Sequence, residues 1–77
     1  MAELQIDWTP DGDTVSGHTA DLPHALVLIV PAAWGKVDLR VYHRGEIKYE
    51  RQLSDVDAAK TAAKLALRLL LIRETAA

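Results

Sequence analysis

Cysteine is absent from the 77 residues. Neither a disulfide nor a thiolate nucleophile is available, and a reducing compartment is the expected setting. Lysine and arginine are absent from residues 1–35, which hold Glu3, Asp7, Asp11, Asp13 and Asp21 and carry −5, while residues 36–77 carry +3. The total is −2, with pI near 5.8. That balance argues against a general nucleic-acid binder, which shows a basic excess. The four glycines are scattered singly, so no Gly-rich loop cradles a phosphate. The longest uncharged apolar run, "ALVLIVPAAWG", is too short to span a bilayer and contains Pro31. The opening "MAELQIDW" is acidic and alternating, not basic and then apolar, so no signal peptide is expected. These features together predict a soluble cytoplasmic protein whose residues 1–77 form one domain.

Catalytic and metal-binding patterns are equally sparse. His18, His24 and His43 are not at metal-ligand spacing with one another, and turn or strand-edge positions are expected for them. Asp7, Asp11 and Asp13 lie in "DWTPDGDT", which lacks the oxygen-ligand spacing and closing glutamate of a calcium loop; a Pro-Asp-Gly turn explains it. Ser16 and His18 share a strand face, but no nucleophile elbow or third member accompanies them. No enzyme activity, no cofactor and no metal are expected.

What is present is a run of strand patterns. "ELQIDW" places Leu4, Ile6 and Trp8 on one face. "TPDGD" reads as a turn, "TVSGHTA" as the returning strand, and "DLPH" as a second break. "ALVLIV" is apolar at every position, which suits a strand buried on both faces. "KVDLRVYH" alternates with Val37, Leu39 and Val41 inward; after the Arg44–Gly45 turn, "EIKYERQL" has Ile47, Tyr49 and Leu53 inward. Ser54 is the expected helix N-cap, with Asp57 three residues on in a capping-box position. The prediction is an α+β fold: an antiparallel sheet of four or five strands in meander order, at about 2–8, 14–20, 25–30, 36–43 and 46–53, and one C-terminal helix, about 55–74, packed on one face. One helix covers one sheet face, so the other meets solvent or a partner.

At about 100° per residue, Asp57, Lys60, Thr61, Lys64 and Arg68 share the solvent side of the helix. Ala59, Ala62, Ala63, Ala66, Leu69 and Leu70 form the expected core stripe, mostly alanine, so the helix can sit close to the sheet. Leu65, Leu71 and Ile72 fall outside that stripe, as side chains capping the core end, a docking patch or a homodimer seam. Trp34, Arg40 and Tyr42 are the candidate protein-binding anchors. Asp7, Asp11, Asp13 and Asp21 could steer the chain toward a basic surface; a solvated acidic edge is the plain alternative.

The segment from Val37 to Leu67, "VDLRVYHRGEIKYERQLSDVDAAKTAAKLAL", resembles a pattern common in small phage and prophage proteins. In that pattern a hairpin with a Gly turn leads through Ser-x-x-acid-Ala into a helix with paired alanines. The group includes anti-CRISPR inhibitors. The resemblance covers about two-fifths of the chain and carries over no individual residue. It implies a non-catalytic phage-derived inhibitor that binds a host protein complex, most specifically a CRISPR effector, and blocks nucleic-acid access. The alternatives are a small nucleic-acid-binding or regulatory phage protein using Lys36, Arg40, Tyr42 and Lys48, and a homodimeric accessory protein. Direct nucleic-acid binding is disfavoured because Asp38, Glu46 and Glu50 interleave with those bases.

Overall fold

Alternation along residues 37–43 sends Val37, Leu39, Val41 and His43 to one face, and all four are buried. In a computed structural model, which describes residues 4–76, that face is the floor of the core. The elements are β1 (Asp7–Asp11), β2 (Thr14–Thr19), β3 (Leu22–Pro31), a single 3₁₀ turn (Ala33–Gly35), β4 (Val37–His43), β5 (Glu46–Leu53) and α1 (Val56–Ala76). The strands make one five-stranded antiparallel sheet in the order β1-β2-β3-β4-β5, and α1 packs across one face. The fold is therefore an α+β meander with a C-terminal helix.

The first strand lies later than the alternation of residues 2–8 suggests; positions 2 and 3 of that expectation lie outside the described residues. Pro10 and Asp11 belong to β1, with Pro10 opposite Val15. An edge strand tolerates proline because its outward side has no ladder bond to lose. The inward set is nevertheless as read, since Leu4 is buried and Ile6 and Trp8 pack against the core. β3 is longer than expected, with Pro23 and Pro31 near its ends.

Val27 and Ile29 of β3 pair with Val41 and Leu39 of β4 to form the centre of the helix-covered face. The expectation of a strand buried on both faces holds only in part. Leu26, Leu28 and Val30 point the other way and are half-buried, because no described element covers that side. Ile47 also departs from expectation. An irregularity between Val41 and Tyr42 leaves Lys48 as an extra residue in β5, which turns Ile47 onto the open face opposite Tyr42, half-exposed.

The cap of α1 is Asp55, not Ser54: the Ala58 N–H donates to Asp55 Oδ1 at 2.8 Å. The helix continues past residue 74 to Ala76, and the Thr75 hydroxyl donates to the carbonyls of Leu71 (3.0 Å) and Ile72 (3.2 Å). Its core line is Ala59, Ala63, Ala66, Leu67 and Leu70. Ala59 and Ala63 are fully buried, so the backbone itself lies close to the sheet, and Leu67 takes the position expected of Leu69. Leu69 is exposed, while Leu71 is half-buried against the core rather than surplus. His43, read as a turn or edge residue, is buried with its Nδ1 3.4 Å from Glu74 Oε1, joining β4 to the last turns of α1.

The β4–β5 turn is strained at one position. Arg44 (φ 54°) and Gly45 (φ 83°) are both left-handed, as a type I′ turn requires. Arginine there costs roughly 1–2 kcal/mol that asparagine largely avoids. Arg44→Asn is expected to raise stability by about 1 kcal/mol. The measurement is a higher urea midpoint at an unchanged slope.

Candidate partner-binding site

In a meander, alternate connections emerge at the same end of the sheet. Asp11 pairs with Thr14, Val15 with Ile29, Pro31 with Val37, and Val37 with Leu53. The β1–β2 turn, the β3–β4 connection and the start of α1 therefore share one end. That end carries Asp11, Asp13, Asp38, Asp55 and Asp57, with two bases, Lys36 and, one ladder position in from Asp38, Arg51.

Trp34 lies at this same end, in the β3–β4 connection, with 93% of its surface exposed. The connection that holds it is closed by two backbone bonds, the Ala32 N–H to the Lys36 carbonyl at 2.8 Å and the Lys36 N–H to the Ala33 carbonyl at 3.2 Å. Within it Trp34 adopts φ 63° and ψ 32°, the left-handed region, followed by Gly35 at φ 72°. A non-glycine residue in that region costs roughly 1–3 kcal/mol. The ring gains almost no burial in return, so the fold itself draws little from this residue.

The other acidic candidates are elsewhere. β2 spans roughly 17 Å from Thr14 to Thr19, which places Asp7 and Asp21 at the opposite end, away from Asp11 and Asp13. Asp21 is engaged in its own turn: its N–H donates to Thr19 Oγ1 at 3.3 Å, and that hydroxyl donates to Asp21 Oδ2 at 3.4 Å. Arg40 and Tyr42 are together on the open sheet face, beside Leu28 and Leu26. Arg40 Nε donates to Glu50 Oε2 at 3.0 Å, so its charge is locally matched. Leu65 and Ile72 are exposed on α1, and Leu71 is half-buried against the core.

Two grooves flank α1. One, of about 310 Å³, runs between residues 4–8 and α1, where Lys60 Nζ sits 5.5 Å from the centre of the Trp8 ring. The other, of about 280 Å³, is lined by His43, Arg44, Glu46, Lys48, Leu70, Arg73 and Glu74. Its three cations face two carboxylates: Lys48 Nζ donates to Glu46 Oε2 at 2.9 Å, and that bond holds the Glu46 carboxyl below its ordinary range. Among the described residues no group of three or more His, Cys, Asp or Glu is placed to hold a metal, and no helix is long and apolar enough to cross a membrane.

Asp38, Asp55 and Asp57 join the acidic end without having been singled out as site residues. Counting connections would have found them, since a meander of known strand order fixes which turns are neighbours. The chain matches no protein-family model, no curated protein and no solved structure.

Proposed function

We propose that the protein is a non-catalytic binding protein whose acidic end, with Trp34 at its centre, docks onto a basic surface of a partner protein. The supporting observation is the strained, almost fully exposed Trp34 on a hydrogen-bonded loop at the end of the sheet that also carries Asp11, Asp13 and Asp38. Tryptophan is an efficient interface anchor, and surrounding like charge steers association with an oppositely charged surface. A basic surface on a nucleic-acid-handling protein is the natural complement, and covering it excludes nucleic acid. The resemblance of residues 37–67 to small phage proteins makes a host complex, and specifically a CRISPR effector, the partner we favour. On this reading the protein inhibits by occlusion, in the cytoplasm of the host cell.

The test is capture on immobilised protein from a bacterial lysate, with duplex DNA as competitor. Wild type is expected to retain a nucleic-acid-binding protein that DNA displaces. Asp11→Lys with Asp13→Lys is expected to slow association at least tenfold at low salt, and Trp34→Asn to abolish retention. Asparagine tolerates the left-handed backbone, so Trp34→Asn keeps or raises stability. Equal retention by all three proteins, or no competition by DNA, overturns the reading. Salt-sensitive binding of DNA by the protein itself would replace it with the nucleic-acid-binding alternative.

A further inference from the structure

The helix carries a second apolar line, distinct from the one that builds the core. Ala58, Ala62, Leu65, Leu69 and Ile72 follow one another at intervals of four, three, four and three residues. That alternation is the seam of two helices packed side by side. Leu65, Leu69 and Ile72 are 56%, 58% and 60% exposed, whereas the neighbouring line from Ala59 through Ala63 and Leu67 is buried against the sheet. Tyr49 of β5 borders the seam in a groove shared with Ala66 and Leu69.

We infer that this seam binds the same seam of a second copy, with the two helices antiparallel. A two-fold interface must be its own complement. An antiparallel pair centred at the level of Leu67 sets Leu65 opposite Leu69 of the second copy and Ala62 opposite its Ile72. Large faces small at both ends, with leucines meeting in the middle. A parallel pair sets Ala62 opposite Ala62 and Ile72 opposite Ile72, open at one end and crowded at the other. Charge selects the same orientation. In a parallel pair Arg68 of each copy borders Arg73 of the other. The antiparallel pair moves the two Arg73 side chains to opposite ends, roughly 18 Å apart along the axis, and brings only the two Arg68 side chains near each other. The seam is short for a stable interface, so a dimer of micromolar affinity is expected. The seam contains none of Trp34, Asp11 and Asp13, although its register sets Ile72 of the second copy opposite Ala62, about a turn and a half from Asp57; the inference does not rest on the proposed function.

Sedimentation equilibrium over about 1–500 µM is expected to show a reversible monomer–dimer equilibrium. Leu69→Lys, an exposed position, is expected to weaken the dimer at least 30-fold with an unchanged circular-dichroism spectrum. Orientation is read by cross-linking, which the absence of cysteine makes clean. Leu65→Cys protein mixed with Leu69→Cys protein is expected to form the mixed disulfide at least fivefold over either homodimer. A monomer throughout the range, a dimer indifferent to Leu69→Lys, or a predominance of homodimeric disulfides overturns the inference.

Discussion

Leu39→Ala is expected to remove about 2–5 kcal/mol of stability. Leu39 is fully buried in the central part of β4, between Ile29 and Arg51 in the ladder, and its side chain belongs to the cluster that includes Val27, Val41 and Leu67. Sheet hydrogen bonds hold its neighbours on both sides and α1 closes the top, so the site cannot collapse around the missing atoms. A chain of this length has roughly 4–12 kcal/mol in total, so the loss is a large fraction of its stability. Leu28→Ala, one position along the ladder on β3 but on the open face, is expected to cost no more than about 1.5 kcal/mol, since that side chain is only half-buried. Urea titrations of the two variants compare the faces directly. Equal losses would mean that α1 does not cover the face assigned to it.

Gly17→Val is the second large effect. A β-carbon at position 17 would lie 2.6 Å from Cζ3 and 2.8 Å from Cε3 of Trp8, and 3.1 Å from Cγ2 of Ile6. Trp8 stands at the opposing position of β1 with its six-membered ring against the glycine, so the added atoms meet the ring itself and not a flexible tip. The ring must swing outward, losing its contact with the core and with the Lys60 ammonium. Overpacking of this kind costs about 1–3 kcal/mol. The loss should be smaller in a Trp8→Ala background, where there is no ring to displace. Additive losses in the double variant, or wild-type stability in Gly17→Val, would show that the packing of Trp8 on Gly17 is dispensable.

The strands of the second half were readable because alternation in 36–53 is regular and bounded by turn residues. The helix, too, was plain from its composition. Its rotation was not. Between Leu65 and Ile72 only Arg68 is polar, so these two turns contain almost no angular information, and Leu67 and Leu69, about 160° apart, flank the alanine stripe on opposite sides. The two buried alanines, Ala59 and Ala63, decide between them by letting one line of the helix approach the sheet. Ile47 escaped for another reason: one inserted residue reverses inside and outside for everything beyond it, and the bulge has no signature in "EIKYERQL". The acidic residues and Trp34 were each noticeable alone. Their division between two ends follows from strand order, whereas the left-handed backbone of Trp34 is invisible in "PAAWG", where Gly35 alone would account for the turn.

Every strand of this sheet pairs only with its neighbours in the chain, so the pairings close short loops and form quickly by comparison with sheets that join distant segments. The helix that seals them is synthesised after all five strands. During synthesis there is an interval in which Val27, Ile29, Leu39 and Val41 make one apolar surface with nothing over it. How long that interval lasts, set by the rate at which residues 59–70 follow Leu53, governs the competition between completing the domain and aggregating with another nascent chain.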